Sequence, residues 1–215
     1  MFTGFSPETV DFLWGIRMNN NRDWFLEHKK QYTDTLYEPM KALGTELFQP
    51  FLERPGNIVK VSRIYRDARH PHPLPYKESL WICIRQDVDW WGENPCLYFE
   101  INPEGVDYGF FFWKPRPAAM KRFREEIAAR PQPFLDMISK TEQETMVQVA
   151  AACYKHPAPT DNPELARFYL WKDQIGCTRH EDFSPETFGP ELAERVRAFF
   201  VKLIPIYEYF CRFGG

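Results

Sequence analysis

Apolar and polar positions alternate along the chain with two different periods, and the change of period divides it. Residues 7–18 carry a helical pattern whose Val10, Leu13 and Trp14, joined by Phe2 or Phe5, are expected to face the core. A second helix starts at Asn21 as N-cap and runs through "RDWFLEHKKQY", with Trp24, Phe25, Tyr32 and Leu36 at helical spacing. Pro39 marks a kink or restart, after which a third segment reaches about Leu52. The period then shortens. Residues 58–65, 79–86, 95–102 and 106–113 are rich in β-branched and aromatic side chains and read as strands. "NPEG" at 102–105 supplies a type I turn between the last two, so the four form an antiparallel meander. "FFFW" at 110–113 lacks polar alternation and predicts a strand covered on both faces.

Helical spacing returns over 117–139, broken by Pro131 and Pro133. The stretches 144–155 and 169–177 read as further strands flanking a short helix capped by Asn162 with Pro163 next. A last helix over 185 to about 200, continuing past Pro205 with a kink, buries Leu192, Val196, Phe199 and Phe200. "FSPET" occurs at 5–9 and again at 183–187, but its flanks differ. Serine as cap, proline at the first helical position and glutamate at the positive end of the dipole make both copies helix starts rather than a duplication. With no Gly/Ser-rich linker, residues 1–215 are expected to form a single α+β domain. Its central sheet is mainly antiparallel, of about four to six strands, packed with N-terminal, middle and C-terminal helices.

Composition adds exclusions. At 44% hydrophobic and 17% aromatic, the chain has ample material for a core, which removes disorder as a reading. No apolar run approaches the roughly 18 residues that span a bilayer, and the start lacks a leader pattern, so a cytoplasmic protein without a membrane partner is expected. Five cysteines lie far apart with no C-x-x-C spacing and read as free thiols, neither a disulfide framework nor a zinc knuckle. P-loop, dinucleotide and G-x-S-x-G signatures are missing, and no cofactor is implied.

Charge changes the picture most. The net value is −3, yet residues 54–77 hold six cations against Asp67 alone, so that window is +5 and the remainder −8. Its densest part is "RIYRDARHPHPLPYK" at 63–77. Residues three apart on a straight strand face opposite sides. If the strand ends near Tyr65 and the chain turns into an extended left-handed segment, the threefold spacing of Arg63, Arg66 and Arg69 brings the guanidinium groups together. The prolines at 71, 73 and 75 favour that exit.

Arginine forks match phosphate and carboxylate oxygens, so the leading functional expectation is a small-anion or phosphoryl-ligand site. Arg63, Arg66, Arg69 and Lys77 are its counter-charges, Tyr76 a hydroxyl donor, and Asp67 orients an arginine. Three alternatives stand beside it. One is a purely structural network completed by acids such as Glu100 or Asp107. Another is a phosphoryl hydrolase or transferase using Asp67, His70 or His72 as acid or base. The third is a nucleic-acid groove, set below the others because a polyanion would meet repulsion beyond the patch. The pair His70 and His72 is too small a set for a metal site, and none is expected. "DWW" at 89–91 and "FFFW" are read as packing rather than stacking surfaces.

At these residues the chain resembles an uncharacterised conserved-hypothetical family, a domain of unknown function. The likeness rests on "FSPETVDFL", "NNNRDWFLEHKKQY", "PMKAL", "RIYRDAR" and "PYK", and it spans most of residues 5–130. By position, Arg63, Arg66, Asp67, Arg69, Tyr76 and Lys77 match the pattern R-x-x-R-D-x-R followed by P-Y-K. The loop His70–Leu74 is shorter than the family's and lacks one of its cations. The resemblance implies a shared site without naming its chemistry.

Overall fold

The computed structural model describes residues 1–67, 69, 72–156 and 158–214. Helices α1 (Pro7–Met18), α2 (Arg22–Glu27) and α3 (Lys29–Gln31) lead into a π-helical turn, Tyr32–Tyr37, and then α4 (Glu38–Leu47). Strands β1 (Asn57–Val61), β2 (Leu80–Gln86), β3 (Cys96–Ile101) and β4 (Gly105–Phe112) follow. Next come α5 (Pro117–Ala129), α6 (Pro131–Thr145), β5 (Ala150–Cys153), α7 (Ala166–Tyr169), β6 (Trp171–Asp182), α8 (Pro185–Phe188) and α9 (Glu191–Cys211). The strands form one antiparallel sheet in the order β1-β2-β3-β4-β6-β5, so the α+β class holds, with six strands. Contacts cluster in two compact units. The first comprises Met1–Ile84, Tyr98–Tyr108 and His180–Ala198, the second Arg85–Leu97, Gly109–Arg179 and Phe199–Gly215.

In the first unit, α1 begins where serine chemistry predicts. The Ser6 backbone N–H donates to Thr9 Oγ1 at 3.2 Å, and the Thr9 N–H to Ser6 O at 2.9 Å. Its buried stripe is Thr9, Phe12, Leu13 and Ile16, rotated from the expected one, and Trp14 is left 40% exposed beneath the Arg17 guanidinium. The rotation follows from the close approach of α2. A Cβ on Gly15 would lie 2.5 Å from the Trp24 ring, so the glycine faces that contact.

The three asparagines between these helices have separate duties. The Asn19 N–H closes α1 on Gly15 O, Asn21 Oδ1 accepts the Trp24 N–H at 3.0 Å, and Asn20 reaches into the site described below. Pro39 lies at the start of α4 rather than at a bend within it. It has no N–H for the Thr35 carbonyl four residues back, and that carbonyl accepts instead from the buried Thr9 hydroxyl at 2.7 Å. The helix packs on the sheet through Gly44, where an added Cβ would meet Val61, Val59 and Ile82 at 3.2 to 3.7 Å.

Strand alternation then sets up two faces. Leu80, Ile82 and Ile84 of β2, Leu97, Phe99 and Ile101 of β3, and Val106 and Tyr108 of β4 are fully buried. Between them Trp81, Glu100 and Asp107 stay half-buried on the other side. The 102–105 turn forms as expected, with Asn102 Oδ1 accepting from the N–H groups of Glu104 (2.9 Å) and Gly105 (3.1 Å).

The second unit is built around aromatics. The Phe123 ring lies 5.3 Å from Phe134, 5.4 Å from Phe210, 5.9 Å from Phe213 and 6.1 Å from Trp171. Phe110 and Phe112 are buried there, whereas Phe111 is half-buried and Trp113 exposed, so the FFFW strand is fully covered on one face only. Trp90 and Trp91 are also exposed, and Trp91 stacks on Trp113 at 5.8 Å. Pro131 and Pro133 both lie in the first turn of α6, where their missing N–H groups cost nothing. Pro205 sits inside α9 on its exposed side, which leaves the carbonyl of exposed Val201 to water. All five cysteines are free, and Cys83, Cys96 and Cys177 are buried. Among the described residues no helix is long and apolar enough to cross a membrane, and no group of three or more His, Cys, Asp or Glu could hold a metal ion.

Candidate functional site

The β1–β2 connection is pinned before it widens. The Ser62 N–H donates to Trp81 O at 2.8 Å and Trp81 N–H returns to Ser62 Oγ at 2.9 Å. The ladder therefore stops earlier than residue 65, and an isolated antiparallel bridge, Tyr65 with Tyr76, closes the loop again further out. On either side of that bridge the Lys77 N–H donates to Ile64 O (2.8 Å) and the Arg66 N–H to Pro75 O (3.1 Å). Tyr76 anchors the closure: its ring is 5% exposed and stacks on Phe25 at 4.4 Å. Asn20 clamps its backbone from both sides, accepting the Tyr76 N–H at 3.1 Å and donating to the Tyr76 carbonyl at 3.2 Å. Burial raises the pKa of the Tyr76 hydroxyl.

The cations divide according to this scaffold. Arg69 and Asp67 form an exposed forked pair, with Nη2 to Oδ2 at 2.6 Å and the Arg69 N–H also donating to Asp67 Oδ1 at 3.0 Å. Arg63 is exposed. Arg66 turns inward: its Nε donates to the Tyr76 carbonyl at 2.9 Å. Lys77 Nζ donates to the Arg63 carbonyl at 2.9 Å and lies 5.6 Å above the Trp81 ring. Of the six residues the sequence singles out, Arg66 and Lys77 thus share one place, an open groove of about 470 Å³. Arg17, Glu78, Ser79, Trp81, Glu100, Asn102 and Glu104 complete its lining. His70 lies outside the described residues. His72 is exposed, with Nδ1 accepting the Leu74 N–H at 3.1 Å.

Several lining residues have no counterpart in the basic motif. Arg17 comes from the last turn of α1, where Nε donates to Glu78 at 2.8 Å and the terminal nitrogens fork onto Glu104. No local sequence signal joins Arg17 to residues 60 and more positions away. Glu100 and Asp107, expected as the acids of a structural ion network, do lie nearby. Glu100 accepts the Ser79 hydroxyl, and Asp107 accepts from Asn102 Nδ2 at 3.0 Å. Asp107 Oδ1 also pairs with His180 Nδ1 at 2.9 Å, and His180 Nε2 lies 3.3 Å from Asp182 Oδ1.

The electrostatics follow from burial and proximity. Burial lowers the Lys77 pKa, the like charge of Arg66 lowers it further, and Asp67 and Glu100 oppose the fall. Burial raises the Glu100 carboxyl and Asp107 adds to it, while Ser79 and Lys77 pull the other way. The hydrogen bond that His180 donates to Asp107 raises the imidazole above its usual range, with Asp182 contributing less. The groove therefore holds two neighbouring cations and, beside them, a carboxyl that ionises reluctantly.

Residues 8–209 match the family described as "Conserved hypothetical protein (DUF2461)". No curated protein matches the chain.

Proposed function

We propose, for a chain that belongs to the DUF2461 family of conserved hypothetical proteins, that the groove beside Trp81 binds a small anion. Its phosphoryl or carboxylate group is held between Arg66 and Lys77. One observation carries the reading. Arg17 and Arg69 are already neutralised by carboxylates, whereas Arg66 Nε and Lys77 Nζ donate to the neutral carbonyls of Tyr76 and Arg63. Among the described residues neither lies within ion-pair distance of an acid. Two like charges at the edge of one groove repel each other, and an anion between them relieves that repulsion while gaining charge-assisted hydrogen bonds.

Titration calorimetry with sulfate and with inorganic phosphate tests the proposal. One anion per chain is expected. Arg66→Ala and Lys77→Ala should each weaken binding at least about tenfold, the loss of one charge-assisted hydrogen bond. Arg69→Ala, which removes an exposed pair, should leave both anion affinity and melting temperature unchanged.

The Arg17 fork onto Glu78 and Glu104 favours a second reading, in which the cluster only fastens α1 to the strands. In that case Arg66→Ala would lower the melting temperature through loss of its bond to Tyr76, and neither anion would bind.

A further inference from the structure

We infer that the ligand of this groove is an anion carried on a flat, donor-bearing ring, the chemistry of a nucleoside monophosphate, and that Trp81 is the platform for the ring. The inference rests on the anion-site reading above and narrows it.

Size is the first argument. About 470 Å³ falls within the range of roughly 300–1,000 Å³ typical of organic-ligand sites, and a bare sulfate or phosphate would leave most of it to water. Placement is the second. Trp81 alternates with the fully buried Leu80 and Ile82 on β2, so the backbone directs its half-buried indole to the other face of the sheet. It is the aromatic member of the groove lining. Lys77 Nζ stands 5.6 Å over that ring, which puts a cation and a stacking surface on the same side of the groove. A ring laid along the indole therefore brings an attached phosphoryl group to Lys77 and Arg66 without spanning the groove.

The Glu100 carboxyl supplies the third argument. It lines the groove beside Lys77 and Ser79. Ser79 already donates to one Glu100 oxygen, and the carboxyl has acceptor sites left over. An acceptor there suits exocyclic amino or ring N–H groups and disfavours a second anionic group. A polymer is a poorer fit, because the charge outside residues 54–77 is −8 and repels a long polyanion.

Calorimetry with three probes separates the claims: inorganic phosphate, ribose 5-phosphate, and adenosine 5′-monophosphate. Stacking of one base on an aromatic side chain contributes enough to tighten binding about tenfold to a hundredfold. The monophosphate should therefore bind that much more tightly than ribose 5-phosphate. Trp81→Leu should bring the nucleotide's affinity down to that of ribose 5-phosphate, and Trp81→Phe should retain most of the difference. A thermal melt on both variants establishes that they are folded, and Trp81→Phe keeps the test open if the leucine variant is not.

If phosphate and ribose 5-phosphate bind and the nucleotide binds no tighter, the ring platform is refuted while the anion site stands. A nucleotide advantage that survives Trp81→Leu also refutes it. If none of the three binds, the anion site itself fails and this inference with it.

Discussion

Replacing Thr9 by valine tests how the N-terminal helices are joined, and so what holds the floor beneath the Tyr76 clamp. The change is nearly isosteric, so it removes a hydroxyl without opening a cavity. That hydroxyl has two duties: it accepts the Ser6 N–H at 3.2 Å and donates to the Thr35 carbonyl at 2.7 Å. The second matters more, because Pro39 provides no helical N–H for Thr35. A covered carbonyl that loses its donor costs about 1–3 kcal/mol, and loss of the capping contact adds about 0.5–1 kcal/mol. Burial of the extra methyl returns up to about 0.8 kcal/mol. The expected net loss is about 2 kcal/mol, or roughly 4–8 °C in melting temperature for a chain of this size.

Urea unfolding followed by far-UV circular dichroism measures it, with an unchanged slope confirming that only stability has moved. The double-mutant cycle with Pro39→Ala is the sharper assay. Alanine restores an N–H four residues after Thr35, so Thr9→Val should cost at least about 1 kcal/mol less in that background. If the two changes are additive, or if Thr9→Val shifts the midpoint by under about 0.3 kcal/mol, the assignment of the Thr9 hydroxyl as the substitute donor is wrong.

Two further outcomes concern titration. His180 has its pKa raised by Asp107 and Asp182, so the pair's stabilisation is complete below about pH 6.5, the unfolded value, and is lost as pH rises through the higher folded value. His180→Gln should therefore melt below the wild type near pH 5.5 by a degree or two, the pair being half exposed, and converge with it by pH 9. Glu100 has its folded pKa raised by burial, so at neutral pH its ionised form both weighs against folding and repels an anion beside Lys77. Sulfate, whose charge is constant over this range, should bind more tightly as pH falls through that raised value. Glu100→Gln should bind several-fold more tightly at pH 7 and lose that dependence; an unaltered pH profile in the variant would exclude Glu100 from the groove's electrostatics.

Local chemistry made much of this protein legible. Ser6 and Asn21 as caps, Asn102 in its turn, and Asn162 accepting the Glu164 N–H at 3.0 Å all follow from side chains bonding a backbone within four residues. The four strands β1–β4 and the buried Leu192, Val196, Phe199 and Phe200 follow from period alone. The rotation of α1 was not legible, because Trp14 and Phe12 are equally apolar as letters and only the position of Trp24 against Gly15 selects between them. The FFFW strand misled for a similar reason: apolar side chains on both faces do not supply the layer that would cover the second.

The basic motif divides along the same line. Composition alone gave the concentration of charge in residues 54–77 and placed Arg66 and Lys77 among its members. Charge is carried by the letter, and a loop of three prolines restricts where the letters can go. Which cations keep company with which acids was decided by tertiary structure, since Arg17 meets Glu78 and Glu104 across 61 and 87 positions and Glu100 reaches Ser79 from the neighbouring strand. Even Asn20, one of three identical letters in a row, owes its grip on Tyr76 to a chain segment 56 positions away. Caps, turns and strand faces are set by bonds and periods a few residues long, which the sequence contains. Pairing between distant charges depends on how helices and sheet stack, and that stacking is fixed by packing of the whole core.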